Sequence, residues 1–245
     1  MQAALSTIIS VIIVSLVSLI GAVFLMFKKE SLGKITIFLV SFSAGSLFGG
    51  AFLHILPEVE MSLKTSLCIL SGIILFFIVE SFIHWRHCHM PISKQHPHHL
   101  APLNLIGDGV HNFIDGLAIA AAYLASFPVG IATSLAVLVH EIPQEIGDFG
   151  VLIHSGLSAK KALFYNFLSA LIAMVGAVIG LIIGAGSTSF TSLILPFAAG
   201  GFIYIAGSDL IPEVHKGCER KGALPNLGAL IAGILLMFLL KLLFE

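Results

Sequence analysis

The sequence predicts an all-α, polytopic membrane protein with eight transmembrane helices in a 3+2+3 arrangement, helices 1–3 and 6–8 forming an inverted repeat. Three observations predict it. The 245 residues are 58% hydrophobic and only 10% charged, with a mean hydropathy of +1.06, whereas a soluble domain carries about 25% charged residues. Eight apolar stretches approach or exceed the roughly 20 residues that a spanning helix needs; they fall at about 3–27, 35–57, 66–86, 101–125, 129–154, 161–185, 190–212 and 224–244. Finally, Ala44-Gly45 and His54-Ile55-Leu56-Pro57-Glu58-Val59 match Ala199-Gly200 and Asp209-Leu210-Ile211-Pro212-Glu213-Val214 at one offset, 155 (199 − 44 and 209 − 54).

The first stretch resembles a signal peptide only superficially. No basic residue precedes it, its apolar run is too long, and Lys28-Lys29 follows it; it is read as the first span, entered from outside. The second span ends in His54 and Glu58, and the third runs to Arg86. Residues 87–100 form the one connection long enough to have a character of its own, holding His87, Cys88, His89, His96, His98 and His99. The fourth and fifth spans carry acids, described below. The 155-residue offset lays the sixth, seventh and eighth spans over the first three, with the second span running outward and the seventh inward. Inverted repeats of this kind are common in secondary transporters; the alternative is chance similarity between two apolar helices that both end in Pro-Glu.

Orientation follows from the basic residues. Lys28, Lys29, Lys34, Arg86, Lys94, Lys160, Lys161, Lys216, Arg220 and Lys221 fall in alternate connections, leaving only Lys64 and Lys241 of the twelve on the other side. The basic side is the cytosol, so both termini are expected outside the cell membrane. The net charge of −1 argues against a nucleic-acid partner. Cys68, Cys88 and Cys218 are scattered and odd in number, so no disulfide framework is implied.

The chemistry sits in the fourth and fifth spans. No Lys or Arg occurs from Gln95 to Ala159, yet this stretch carries Asp108, Asp115, Glu141, Glu145 and Asp148. An acid at the centre of a spanning helix costs roughly 2.5–3.5 kcal/mol, so several of them require protons or a cation. At 1.5 Å per residue, His111 and Asp115 lie about 16 and 22 Å in from the cytosol, and Gln144 and His140 about 15 and 21 Å. His111 and Asp115 share a helix face, as do His140 and Gln144, with Asn112 and Glu141 adjoining. Two imidazoles, two carboxylates and two amides therefore converge near the bilayer midplane, a set that suits zinc, iron, nickel or manganese and, lacking thiolate, not copper(I). Pro143 cannot bond the carbonyl of Val139, and a freed carbonyl is tolerable there where it lines a cavity. The bland alternative is that each polar side chain is an interhelical hydrogen-bond partner.

The motifs His111-Asn112-Phe113-Ile114-Asp115-Gly116 and His140-Glu141-Ile142-Pro143-Gln144-Glu145 resemble those of the ZIP (Zrt/Irt-like) metal transporters. Gly147-Asp148-Phe149 and the run from Tyr204 to Glu213 are similar to the subgroup whose fifth helix reads HEIPHE. The likeness extends over nearly the whole chain. It implies divalent metal transport towards the cytosol, zinc first with Fe2+, Mn2+ and Cd2+ as alternatives, and no enzyme activity. It implies transport-site positions at His111, Asn112, Asp115, His140, Glu141 and Gln144. This chain departs from the subgroup in having Gln144 where His is usual and Gly50 where an acid is common. Where other members complete a second metal position with a sixth-helix carboxylate, this chain offers only Asn166 and Ser169, so a full two-metal site is not expected and one or two metals per site stays open.

His54 and Glu58 at the outer end of the second span, and Asp209 and Glu213 at the inner end of the seventh, are expected as entrance and exit ligands, with Asp108, Glu145 and Asp148 along the path. Their alternative role is to face headgroups and water. The histidine loop is expected either to hold arriving metal or to be an inert polar connection. The chain thus divides into 1–86 (first repeat), 87–100 (cytosolic histidine loop), 101–155 (metal-site helix pair) and 156–245 (second repeat), a single transmembrane domain. Partners are divalent metal and the lipid bilayer, with a homodimer left open. Two rival functions remain at this point: an intramembrane zinc hydrolase, because His140-Glu141-Ile142-Pro143-Gln144 comes near H-E-x-x-H, and a passive cation channel.

Overall fold

Each apolar stretch marked in the sequence is helical in the computed structural model of the chain, which describes residues 2–24, 29–88, 100–216 and 223–244. The first span comprises α1 (Gln2–Val17) and α2 (Ile20–Phe24). The second is α3 (Lys29–Gly49), continued by a π-helical turn, Gly50–Ile55, and a 3-10 turn, Leu56–Glu58. Then come α4 (Leu63–Cys88), α5 (Leu100–Ala125) and α6 (Phe127–His154). The sixth span is α7 (Ala159–Ala170) with α8 (Ile172–Gly184). The seventh is α9 (Thr188–Tyr204), a second π-helical turn (Ile205–Leu210) and α10 (Ile211–Lys216); α11 (Ala223–Phe244) closes the chain. No strand occurs among the described residues.

Six of these stretches are long and apolar enough to cross a membrane, and α5 and α6, which bear the acids, are packed among them. The division shows in burial. The windows in α4 and α11 are only 17% buried and turn leucines and phenylalanines outward. In α5, by contrast, Ala118 to Ala122 are buried almost completely. Small side chains there let α5 and α8 approach until a Cβ on Gly116 would lie 1.9 Å from the carbonyl oxygen of Ala173, and one on Gly176 2.0 Å from that of Phe113.

The first and sixth spans depart from the unbroken helices expected. Near Leu19 the bonding tightens to i→i+3, with Leu19 N–H on Leu16 and Ala22 N–H on Leu19. The Ser18 hydroxyl competes for the Ser15 carbonyl at 2.8 Å. The sixth span breaks at Leu171, and Ser15 donates across to Ala170 O at 3.0 Å.

Two helix pairs, α3 with α11 and α4 with α9, meet backbone to backbone at glycines. A Cβ on Gly45 would sit 2.0 Å from Leu230 O, and one on Gly233 2.2 Å from Phe42 O. Likewise Gly200 would meet Ile69 O at 2.0 Å, and Gly72 would meet Phe197 O at 2.1 Å. These contacts correspond one to one. Phe42 and Gly45 map to Phe197 and Gly200 at offset 155 (197 − 42, 200 − 45), whereas Ile69 and Gly72 map to Leu230 and Gly233 at 161 (230 − 69, 233 − 72). The single offset expected for spans 3 and 8 is thereby corrected: six more residues separate spans 7 and 8 than spans 2 and 3. The two π-helical turns keep the 155 offset at both ends (205 − 50, 210 − 55).

Candidate metal site

The carboxylates and imidazoles of the candidate site come from two helices fixed by local sequence. Ser126 caps α6 by accepting from Val129 N–H, and α5 and α6 are joined through that residue alone. They therefore run antiparallel from a tight connection, which sets His111 and Asp115 opposite His140 and Glu141. The four side chains offer one ligand atom each, all within 4.8 Å of one another. His111 Nε2 lies 3.0 Å from His140 Nε2, 3.4 Å from Asp115 Oδ2 and 3.4 Å from Glu141 Oε1. His140 Nε2 lies 3.3 Å from Asp115 Oδ2 and 3.6 Å from Glu141 Oε1. Zinc binds nitrogen and oxygen at about 2.0–2.2 Å, so the edges of a tetrahedral shell are about 3.3–3.5 Å. The five separations bracket that value.

The surroundings prepare these groups for a cation. Asp115, His140 and Glu141 are each 1% exposed. His140 Nδ1 donates to Ala136 O at 3.0 Å, which leaves Nε2 as the nitrogen that could face a metal. Phe76 meets His111 edge-on at 5.4 Å and Phe202 flanks His140 at 6.0 Å, restricting both rings. Imidazole contacts aside, the carboxylate oxygens of Asp115 and Glu141 are buried without a hydrogen-bond partner. Unpartnered buried acceptors of this kind require an explanation.

Beside this group lies a second, Asp108, Glu141 and Glu145, which shares Glu141 with the first. The two sixth-span residues set aside in the sequence hold it. Ser169 donates to Asp108 Oδ2 at 2.5 Å, and Asn166 donates to Glu145 Oε2 at 2.5 Å. Asn112 donates to Asp108 Oδ1 at 2.8 Å, so its amide turns towards this group, and its own oxygen is buried without a partner. The carboxylates of this second group come from α5 and α6, with α7 supplying neutral donors.

The remaining candidates separate. Gln144 is half-buried and lines a cavity of about 560 Å³ with His111, Asp108, Asp148 and Asp209. Asn104 donates to Asp148 Oδ1 at 2.9 Å in that cavity. His54 is not at a surface mouth but 1% exposed, its Nε2 2.8 Å from Met237 O. Glu58 is exposed, and so is Asp209. Glu213 falls in α10 with its side chain outside the described residues, as are the side chains of His87 and Cys88 in the last turn of α4. His89, His96, His98 and His99 lie outside the described residues altogether. The Val139 carbonyl does not line the cavity as expected: Ser43 Oγ donates to it at 2.7 Å.

Sequence reasoning missed Glu80, which lines the same cavity and accepts from Tyr204 Oη at 2.5 Å. The signal was present, because Glu80 is an acid inside an apolar stretch like those in the fourth and fifth spans. Asn104 was missed for lack of any such signal.

Residues 93–241 match the model of the ZIP zinc transporter family. The chain is 32% identical over 288 residues to a zinc transporter ZIP13 homolog of Drosophila melanogaster, covering 89% of this chain and 81% of that protein. It is 45% identical over 146 residues to zinc transporter zipt-7.2 of Caenorhabditis elegans and 39% identical over 179 residues to human zinc transporter ZIP10. These alignments cover 58% and 64% of this chain but only 32% and 21% of those longer relatives. With metal ligands converging inside an apolar helical bundle, and relatives matched over most of its length, the chain belongs to the ZIP zinc transporter family, whose members are transporters of metal and not enzymes.

Proposed function

We propose that this protein carries divalent metal, zinc foremost, into the cytosol through a site formed by His111, Asp115, His140 and Glu141. The observation that carries the reading is the set of five ligand separations between 3.0 and 3.6 Å, which fits a tetrahedral zinc shell of about 3.3–3.5 Å edge. Charge supports it: two carboxylates and two neutral imidazoles make the site electroneutral once a divalent ion binds, which low dielectric favours. Gln144, Asn112 and the Asp108–Glu141–Glu145 group receive the ion next, towards Asp148 and Asp209.

The direction rests on the cavity. It is lined by Thr36 near the start of α3, Glu80 near the end of α4, Asn104 near the start of α5 and Val151 near the end of α6. Those ends adjoin the connections that hold ten of the twelve basic residues, so the cavity opens on the side assigned to the cytosol. Outward, buried His54 bonded to Met237 supports a closed path. A site reached from one side at a time favours a carrier over a passive channel. Eight spans, outside termini and movement of α5 and α6 against one or both repeats complete the proposal.

The test is zinc uptake into proteoliposomes loaded with a zinc-sensitive dye. Saturable uptake by the wild type, abolished in His140→Ala and Asp115→Ala, is expected. No uptake of zinc, iron, manganese, cobalt or cadmium by the wild type would overturn the reading, and flux that never saturates would favour the channel.

A further inference from the structure

We infer that Ser43 is a positioning residue for the metal site: its hydroxyl replaces the backbone donor that Pro143 removes from the ligand-bearing helix. The inference rests on His140 being a ligand and adds a residue that the motifs do not contain.

Pro143 lies inside α6 and has no N–H for the carbonyl of Val139 one turn earlier. Buried in a bilayer, that carbonyl needs another donor. Ser43 Oγ supplies it at 2.7 Å from α3, and Ser43 is itself fully buried. The other two buried serines of this stretch of α3 bond their own helix, Ser41 to Ile37 O and Ser46 to Phe42 O. Ser43 alone of these three reaches to another helix.

Val139 immediately precedes His140. The ring of His140 is fixed through the Ala136 carbonyl, and Ala136 in turn packs against Gly50, where a Cβ would stand 3.1 Å from the Ala136 methyl. Two carbonyls of the turn that leads into His140 are thus held in place, that of Ala136 by His140 itself and that of Val139 by Ser43. Without the hydroxyl, the turn carrying His140 and Glu141 is free to adjust towards another donor, and the ligand separations widen.

The experiment measures zinc binding to purified protein and zinc uptake in proteoliposomes for wild type, Ser43→Ala, Ser43→Thr, Pro143→Ala and the double variant Ser43→Ala/Pro143→Ala. Ser43→Ala is expected to weaken zinc binding and raise the uptake KM about tenfold, equivalent to about 1.4 kcal/mol and within the usual cost of an unpaired buried acceptor. The maximal rate should stay within about twofold, since the loss is in ground-state ligand geometry. Ser43→Thr should bind zinc like the wild type. With Pro143→Ala restoring an N–H to Val139, removing the Ser43 hydroxyl should cost little further. An equal effect of Ser43→Ala with and without Pro143 would overturn the inference, as would an unchanged KM. Should Ser43→Ala fail to fold, recovery of zinc binding in the double variant supports the inference and loss in both overturns it. His140→Ala serves as the control: zinc binding that survives it would remove the site reading itself, whereas loss there with no effect at Ser43 removes only the role of Ser43.

Discussion

Asp115 and Glu141 bring two negative charges to a place where both oxygens of each carboxylate lack hydrogen-bond partners other than imidazole. On the proposed reading, Asp115→Asn leaves the zinc complex with an uncompensated charge in low dielectric. Breaking a buried ionic set costs about 3–5 kcal/mol, so uptake should fall at least about 100-fold while the helices still form. Proteoliposome flux, with circular dichroism as the folding control, checks this. Imidazole binds metal only when unprotonated, so uptake should decline on acidification. A steady rise on acidification would instead indicate proton coupling. Gln144 offers a neutral amide on the cavity wall beside Asp108. Gln144→His adds a stronger donor there and should tighten zinc binding and slow release, read as a lower KM together with a lower maximal rate.

Among the elements, the glycine contacts are the most restrictive feature. Leu230 O and Ile69 O stand 2.0 Å from where a Cβ on Gly45 or Gly200 would be, and helix backbone cannot yield as a side chain can. Gly45→Val and Gly200→Val should each remove the monodisperse peak in detergent gel filtration, or lower the unfolding temperature well beyond the about 1–3 kcal/mol of ordinary overpacking. Gly228→Ala, with no atom within 4 Å of the new methyl, should behave as wild type. The π-helical turns belong to this scale as well. Each places one ionisable residue, His54 or Asp209, near the end of its span, and π turns of this kind occur frequently at functional sites. The constant offset made the repetition of these turns legible, but not their geometry, since no residue type distinguishes a π turn from a regular one.

At the scale of the whole molecule, the proposed reading has the cavity lined by Thr36 and Asp209 open towards the cytosol. In a variant lacking Cys68, Cys88 and Cys218, Asp209→Cys and Thr36→Cys should react with a membrane-impermeant thiol reagent from the cytosolic side. His54→Cys, tied under Met237, should react far more slowly from either side in the absence of zinc. Equal labelling of all three from outside would reverse the assigned orientation of the cavity.

By itself the sequence determined that the chain is a bundle of apolar helices, where they begin and end to within a few residues, and which motif residues could hold a metal. Those properties are local: length and hydropathy define a span, and four-residue spacing within one helix sets His111 with Asp115 on a shared face. Tertiary structure alone decided how acids and their partners on distant helices are matched. Ser169 with Asp108, Asn166 with Glu145, Tyr204 with Glu80 and Ser43 with the Val139 carbonyl join residues from 21 to 124 positions apart. No periodicity reports such pairs, because each depends on the rotation and depth of two helices packed through glycine and alanine. The burial of His54 has the same origin. Hydropathy places it near one end of its span, and only the packing of neighbouring helices, α11 among them, buries it.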